Sequence, residues 1–392
     1  MLQVNEATTR FVREHAGQDV RRLALLAARF PGVDMPFALD QIAGRETARR
    51  KLPSWASVDG VVFPPHLSLE QCSSEHTARY KASLLAGKSL VDLTGGMGVD
   101  CFFMAQSFSN AIYVERQQHL CSIAEHNFHL LHCDNIRVVN GDSTQYLLEM
   151  PSADVIYLDP ARRDNAGRRT YGIADCTPDV TALADVLLSK APVVMVKLSP
   201  MLDVSQTLST LPAVSDMHIV STGGECKELL VIMRRNHTGA TAIHCVNDDS
   251  VFTFNHESTQ PTVRLWDGQW HEGLLLLEPN PSVMKAGCFN HVAAHYNLQV
   301  VSHDSHLFIS DKVADGFSGR TFIIDSVTSM NKAELRHTLA TLQRANVAVR
   351  NFPLRAADLA RRLRLKDGGD TYIFGTTTST GKHLLLLCHK RH

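Results

Sequence analysis

The chain has 392 residues, of which 44% are hydrophobic, and a formal net charge of −1, so we expect two or three folded domains with sizeable cores. No apolar run reaches the length of a membrane span, and the first residues lack the basic-then-apolar pattern of a signal peptide; we therefore expect a cytoplasmic protein without a membrane partner. The nine cysteines are scattered without a C-x-x-C pair, as expected for reduced thiols rather than a disulfide framework.

The first part of the chain, residues 1–65, is predicted to form an N-terminal helical domain. One helix is expected at 19–30 and another at about 36–51, each ended by a proline that follows it. A polar segment then precedes a helix that reaches about residue 85, and Ser74 is its expected N-cap.

A glycine-rich loop with the sequence DLTGGMG occupies residues 92–98. It follows a short apolar strand at 89–93 and precedes an apolar-faced helix that begins at about Asp100. Glycines allow a sharp turn and a close approach of the backbone to a ligand, and the helix start offers unpaired N–H groups. The loop is therefore a candidate ligand-binding loop, although glycines that serve only a strand–helix turn would give the same pattern.

Further strands follow, and a polar or charged residue comes after each of the parallel ones. Four are predicted in parallel, at 111–114, 135–139, 153–158 and 192–196, and two antiparallel strands, at 216–220 and 228–233, complete a seven-stranded sheet. Ligands bind beyond the carboxyl ends of parallel strands, so four acids are expected to gather at one edge. These acids are Asp92, Glu115, Asp142 and Asp159.

This order of motifs, over residues 66–236, resembles the class I S-adenosylmethionine (SAM)-dependent methyltransferases. The resemblance implies a Rossmann-like seven-stranded methyltransferase sheet in an α/β protein. It also implies that Asp92 helps to place the methionine moiety, that Glu115 accepts hydrogen bonds from the ribose, and that Asp142 lies near the adenine. The expected SAM-binding residues are Gln71, Asp92, Gly95, Gly96, Gly98, Glu115, Asp142 and Ser143.

Several of these residues have plainer interpretations. Asp142 and Ser143 could cap the following helix, Glu115 could be a solvated strand end, and Ser73, like Gln71 a candidate for contact with SAM, could be a capping residue. As an ordered set, the residues favour SAM binding.

The motif Asp159-Pro160-Ala161-Arg162 is the predicted catalytic segment. It resembles the N/D-P-P-Y/F motif of enzymes that methylate amino groups of nucleic acids, with Arg162 in place of the aromatic residue and Tyr171 as a possible substitute. D-P-A-R also resembles the motif of RNA uridine C5-methyltransferases, but no cysteine nucleophile follows the fifth strand. We therefore rank C5 chemistry below methylation of a base nitrogen or of the ribose. We expect methylation of RNA, with a base nitrogen favoured and with Asp159, Pro160 and Arg162 at the reacting centre. Lys197 is either a functional residue or a solvated strand end.

Residues 237–392 are predicted to form an α+β domain that resembles the THUMP-like domain of some bacterial methyltransferases. Residues 328–392 contain 12 Lys or Arg and four acids, so this tail carries +8 and the rest of the chain −9. Such a basic module is a plausible handle for RNA, or an ordinary solvated surface. Helices are expected at 332–344 and 356–365. The candidate RNA contacts, expected on the second of these helices, are Arg361, Arg362, Arg364 and Lys366.

No metal is expected, because His126, His129 and His132 would drift around a helix surface and no cysteine pair completes a site. The alternatives to an RNA methyltransferase are a SAM- and RNA-binding module without catalysis, and a methyltransferase of a small molecule or a protein. The oligomeric state is left open.

Overall fold

The computed structural model describes residues 4–162, 172–256 and 259–391. Within these ranges, none of the helices combines the length and the apolar character needed to cross a membrane. The chain divides into two compact units: Met1–Ser215 with Leu230–Gly239, and Asp216–Leu229 with Ala240–His392.

The first unit begins with six helices. They are α1 (Glu6–Glu14), α2 (Val20–Leu25), α3 (Met35–Lys51), α4 (Pro53–Ala56), α5 (His66–Gln71) and α6 (Glu75–Leu84). The helix expected at about 36–51 is present, whereas the one expected at 19–30 ends at Leu25 and is followed by a single 3₁₀ turn, Ala27–Arg29. Ser74 caps α6 as expected, its Oγ accepting a hydrogen bond from Thr77 N at 3.2 Å. Trp55 and Phe63 are fully buried and share one hydrophobic core with Phe102 and Tyr113 of the elements that follow.

The strands and helices that follow alternate as the sequence predicts. The strands are β1 (Gly87–Asp92), β2 (Phe108–Glu115), β3 (Ile136–Asn140), β4 (Val155–Leu158), β5 (Ala161–Arg162), β6 (Cys176–Thr177), β7 (Val193–Leu198), β8 (Val214–Thr222), β9 (Glu225–Arg234), β10 (Ala242–Asn247) and β11 (Ser250–Asn255). The helices are α7 (Val99–Ala105), α8 (Gln118–Leu130), α9 (Ser143–Glu149), α10 (Val180–Lys190) and α11 (Val204–Thr210).

Nine of these strands, all but β5 and β6, form a Rossmann-like sheet with the order β11-β10-β8-β9-β7-β4-β1-β2-β3. Strands β7, β4, β1, β2 and β3 are parallel, so their carboxyl ends meet at one edge. All seven predicted strands are present. The structure adds β10 and β11, because β10 pairs with β8 and thereby extends the sheet. The short pair β5 and β6 flanks residues 163–171, so the predicted role of Tyr171 lies outside the described residues.

The second unit contains an eight-stranded sheet of its own with the order β12-β14-β15-β13-β16-β19-β18-β17. Its strands are β12 (Arg264–Leu265), β13 (Leu275–Pro279), β14 (Gln299–Val300), β15 (Phe308–Ser310), β16 (Gly319–Thr328), β17 (Asn346–Arg350), β18 (Thr371–Thr377) and β19 (His383–Lys390). Its helices are α12 (Pro281–Ala286), α13 (Phe289–His295), α14 (Lys332–Thr338) and α15 (Ala356–Leu363). Phe322, Phe374 and Leu386 are fully buried at its centre.

Two predicted helices of this unit are shorter than expected. The helix predicted at 332–344 ends at Thr338, and α15 ends at Leu363 rather than at Leu365. Arg364 adopts a left-handed conformation with φ of 59°, and the N–H of Leu365 returns to the carbonyl of Ala360 at 3.0 Å, which closes the helix. Arg364 and Lys366 therefore lie beyond the helix on which they were predicted.

Candidate active site at the ends of the parallel strands

The glycines of the 92–98 loop have different roles. A Cβ atom on Gly95 would lie 2.2 Å from the ring of Tyr113, and one on Gly98, whose φ is 85°, would lie 2.6 Å from Phe128. A Cβ on Gly96 would meet nothing closer than the carbonyl oxygen of Thr94, at 3.9 Å. Gly95 and Gly98 are thus required by packing, whereas Gly96 leaves an open surface on which a ligand could lie.

Glu115, at the end of β2, is bonded to this loop. Its Oε2 accepts a hydrogen bond from Gly96 N at 3.0 Å, and its Oε1 accepts one from Gln117 N at 2.8 Å. The Tyr113 hydroxyl donates to the carbonyl of Gly96 at 2.5 Å. The acid predicted to hold the ribose therefore has its carboxylate fixed against the glycine loop.

Asp92, at the end of β1, is buried, and its Oδ1 accepts a hydrogen bond from Thr94 N at 2.9 Å. Burial raises the pKa of this carboxyl group well above its usual range, against the lowering effect of that hydrogen bond, and the nearby acids Asp100, Asp159 and Glu115 raise it further. The clustering of acids at one sheet edge, expected from the order of the strands, is therefore present in the fold.

Asp142 lies beside the end of β2 and caps α9. Its Oδ1 accepts hydrogen bonds from Thr144 N at 2.9 Å and Gln145 N at 3.0 Å. The N–H of Gly141 donates to the carbonyl of Glu115 at 3.0 Å, which brings this turn next to the ribose candidate. The capping interpretation is thus observed, and the same position leaves Asp142 at the edge where the adenine is expected. Ser143 is the first residue of α9.

Asp159 follows β4 and is held by two contacts. Its N–H donates to Thr94 Oγ1 of the glycine loop at 2.5 Å, and its Oδ2 forms an ion pair with Lys197 Nζ, also at 2.5 Å. The Asp159 side chain is 37% exposed and that of Lys197 is 13% exposed. Lys197 is therefore a mostly buried partner of the catalytic candidate. Pro160 is buried and directly follows Asp159, while the backbone of Arg162 lies in β5.

A buried polar network beneath the loop was not predicted. Lys81 of α6, which is fully buried, lies 3.2 Å from Asp100 Oδ1 and donates to Ser73 Oγ at 3.0 Å. The hydroxyls of Ser73 and Tyr157 both donate to Asp100 Oδ2 at 2.8 Å. Burial opposes ionisation of Asp100, but the charges of Lys81 and Lys197 and these hydrogen bonds outweigh it and lower the pKa.

A weak signal for this network is present in the sequence. Lys81 lies on the buried side of α6 with Thr77 and Ala78, where a lysine requires a partner, but the partner is 19 residues away along the chain. Ser73, a candidate for SAM contact or capping, joins the network through its hydroxyl. Gln71, the other candidate of that segment, is exposed at the end of α5.

The histidines of α8 have ordinary partners. His126 Nε2 lies 2.9 Å from the carbonyl oxygen of Gly60, and His129 Nδ1 lies 3.5 Å from Asp134. Among the residues that the structure describes, three other side chains lie close enough together to be potential metal ligands: Asp216, His218 and His244.

The four cations predicted to bind RNA, here called the basic tail surface, are all exposed: Arg361, Arg362, Arg364 and Lys366. Arg361 lies 3.3 Å from Asp358 of the same helix, with its side chain 80% exposed. Lys366 forms a β-bridge with Arg344, which brings a further exposed cation to its side.

Comparisons with known proteins agree with this arrangement. Residues 319–390 match the family model of a THUMP domain-like family, and residues 275–317 match that of a ferredoxin-like domain. A "putative methyltransferase" from Porphyromonas gingivalis W83, whose crystal structure is known, is 33% identical in sequence; each chain covers 100% of the other, with a TM-score of 0.88.

An uncharacterized S-adenosylmethionine-dependent methyltransferase of Mycobacterium tuberculosis, from strain ATCC 25618 / H37Rv, is 23% identical over 316 residues, which are 76% of this chain and 80% of the relative. The likeness thus spans far more than the glycine loop and includes most of both proteins. The chain therefore belongs to the S-adenosylmethionine-dependent methyltransferases, enzymes for which SAM is the methyl donor, and it carries a C-terminal THUMP-like domain.

Proposed function

We propose that this methyltransferase modifies RNA, at a base nitrogen, by in-line methyl transfer beside the Asp159-Pro160-Ala161-Arg162 motif. The observation that carries the proposal is the double attachment of Asp159. Its backbone N–H is bonded to Thr94 of the glycine loop and its carboxylate to Lys197. A substrate amine that contacts this carboxylate is thereby held at a fixed position relative to the loop.

The residues at the strand ends fit SAM. Gly96 offers an open surface, Glu115 is fixed beside it, and Asp92 is a buried carboxylate whose ionised form would gain from a cationic ligand group. We assign the ribose to Glu115, the methionine end to the side of Asp92, and the adenine to Asp142 and Ser143. Gly95, Gly98 and the exposed Gln71 complete the assigned set. SAM, when bound, supplies a methyl group on a sulfonium centre.

Methyl transfer mainly requires that nucleophile and methyl group be held in line at attack distance. The Asp159 carboxylate would accept a hydrogen bond from the exocyclic amine of the base and orient its lone pair. Lys197 neutralises Asp159 and restricts its side chain, so the pair orients the amine before the C–N bond forms. The amine proton that is lost afterwards would pass to Asp159 or to water. Pro160 fixes the backbone at this turn, and Arg162 would contact the base or a phosphate.

Two features support RNA as the substrate class. The tail at residues 328–392 carries a net charge of +8, and the basic tail surface is exposed. The C-terminal domain matches a THUMP-like family, and the THUMP domains it resembles usually bind RNA. A polyanion is the partner that such a charge distribution favours.

The test is transfer of labelled methyl groups from SAM to RNA extracted from a strain that lacks this protein, followed by mass spectrometry of the nucleosides. We expect Asp159→Asn to lower RNA methylation by about 10²-fold or more, because an interaction made at the reacting centre is lost, while SAM affinity changes little. Asp134→Asn, an exposed acid after α8, is the matched control and should keep the unmodified rate.

Lys197→Met should also lower the rate, since it leaves Asp159 without its charge partner. Label that enters only protein or small molecules would overturn RNA as the substrate. An unchanged rate in Asp159→Asn would overturn the assignment of the reacting centre.

A further inference from the structure

Three potential metal ligands lie on the neighbouring strands β8 and β10, on one face of the nine-stranded sheet. Asp216 and His218 are two residues apart on β8, so their side chains leave the same face of the sheet. His244 of β10 is the direct cross-strand partner of His218. Directly opposed side chains on adjacent strands are neighbours, so the register of β8 and β10 brings all three together.

The distances agree with this placement. Asp216 Oδ1 lies 3.2 Å from His244 Nε2, and the rings of His218 and His244 are stacked with centroids 4.3 Å apart and an interplanar angle of 13°. One ring nitrogen of each histidine and one carboxylate oxygen of Asp216 lie within 4.8 Å of one another. The three potential ligand atoms therefore lie close together on one face of the sheet.

The orientation of the His244 ring is fixed by a hydrogen bond to its second nitrogen atom. Its Nδ1 lies 3.0 Å from Thr253 Oγ1 of the adjacent strand β11, which turns Nε2 toward Asp216. In metal sites, the second ring nitrogen of a histidine ligand is usually held in this way by an oxygen atom. His218 is buried, and its ring is held close to both Asp216 and His244.

We infer that Asp216, His218 and His244 bind a divalent transition metal of the zinc class, with the fourth position left to water or to another ligand. Zinc bonds of about 2.0–2.1 Å in a tetrahedral site place ligand atoms roughly 3.3 Å apart, close to the 3.2 Å between Asp216 and His244. Two imidazoles and one carboxylate suit zinc better than calcium or magnesium, which prefer oxygen ligands alone.

The alternative is a plain ion pair between Asp216 and His244 with His218 stacked on it. The two interpretations differ in one measurable property, the stoichiometric uptake of a metal ion. The full-length protein, treated with a chelator and dialysed, is titrated with Zn²⁺ in the presence of a competing chromophoric chelator. We expect one tightly bound equivalent, and a visible d–d spectrum of a four-coordinate site when Co²⁺ replaces Zn²⁺.

Variants assign the site among the 20 histidines of the chain. Asp216→Asn and His244→Gln keep the size and polarity of the side chains but should each weaken Zn²⁺ binding by at least about tenfold and abolish the Co²⁺ spectrum. His129→Gln, an exposed histidine with an acidic neighbour, is the matched control and should bind like the unmodified protein. Circular dichroism checks that each variant is folded.

The inference is wrong if no stoichiometric Zn²⁺ is bound. It is equally wrong if folded Asp216→Asn and His244→Gln retain the affinity of the unmodified chain. A loss of affinity in His129→Gln as large as in His244→Gln would also overturn it, because the uptake would then be shared among surface histidines. Since neither SAM nor RNA enters the titration, these outcomes are independent of the proposed methylation.

Discussion

The strand ends of the first unit and the basic tail surface of the second both collect charged residues, in opposite physical settings. At the strand ends and in the network beneath the glycine loop, Asp92, Asp100 and Lys81 are buried, and their partners lie at 2.8–3.2 Å. On the tail, the charges are exposed, and Arg361 remains 80% exposed although it has an acidic neighbour. Buried charges interact strongly and fix geometry, whereas exposed charges are screened and contribute mainly to long-range attraction. We therefore expect the first region to position a ligand and the second to attract one.

The largest expected effect is the loss of folding stability when the buried network around Asp100 is broken. Lys81→Met leaves Asp100 as a buried carboxylate without its closest cation, so we expect a loss of about 3–5 kcal/mol in the free energy of unfolding, measured by urea denaturation. Arg49→Met on α3 is the control, because Arg49 forms an exposed pair with Glu46, and it should cost about 0–1 kcal/mol. Equal losses of stability in the two variants would contradict the claim that the buried pair contributes more to stability than the exposed one.

The next effect concerns SAM affinity. Glu115→Ala removes the charged acceptor proposed for the ribose and should weaken SAM binding by about 1.5–3 kcal/mol in calorimetric titrations. Glu115→Gln keeps one carbonyl oxygen and should lose less. Glu125→Ala, an exposed acid on α8, should leave the affinity unchanged. Unaltered SAM affinity in Glu115→Ala would refute the ribose assignment.

A smaller effect tests the burial of Asp92 through its pH dependence. Because burial raises the pKa of Asp92 above its unfolded value, ionisation destabilises the native state increasingly as the pH rises from about 4 toward the native pKa. Asp92→Asn cannot ionise, so relative to the unmodified protein without SAM it should gain stability with rising pH, by about 1–2 kcal/mol at neutral pH. Urea denaturation between pH 5 and pH 8 measures this difference.

Asp154→Asn is a control that should change the stability in the opposite direction to Asp92→Asn. Asp154 accepts hydrogen bonds from Ser89 N and Lys88 N, which lower its pKa, so its ionised form stabilises the native state above about pH 4. Its replacement should therefore cost stability at neutral pH, where Asp92→Asn gains it. A loss of stability in both variants would mean that Asp92 is satisfied as an ion.

The smallest effect per residue is expected on RNA affinity, when single cations of the basic tail surface are lost. Replacing the four cations of the basic tail surface by glutamine should weaken RNA binding without changing SAM affinity. The slope of log K against log salt should become flatter by up to about 0.7–0.9 for each lost phosphate contact, as measured by filter binding. The control changes the same net charge on the N-terminal helices by replacing four exposed arginines with glutamine: Arg10, Arg13, Arg21 and Arg22. If both quadruple variants flatten the slope equally, the RNA contacts are not specific to the basic tail surface.

The sequence predicted what depends on local pattern. The seven strands, the glycine loop and the cap of α6 by Ser74 follow from apolar periodicity and turn residues, and the structure has them. The pairing of β10 with β8 was missed, because strand neighbours are chosen by long-range packing. For the same reason the contacts of Lys81 with Asp100 and of Lys197 with Asp159 could not be read from spacing.

The helix ends of the tail were missed for a different reason. A helix stop usually depends on glycine, and here Arg364 adopts the left-handed conformation in its place, with φ of 59°. The local pattern of apolar and basic residues therefore continued past the true end of α15.

The sharing of one core by the N-terminal helices and the sheet has a consequence for how this chain can be divided. Trp55 and Phe63 precede the sheet in sequence, yet both are fully buried in the cluster that contains Phe102 and Tyr113. A truncated chain that begins at residue 66 would open a large void against the elements that shape the glycine loop. The N-terminal helices are therefore not an exchangeable module, and recombination between relatives should be tolerated only where this whole stretch is inherited with the loop.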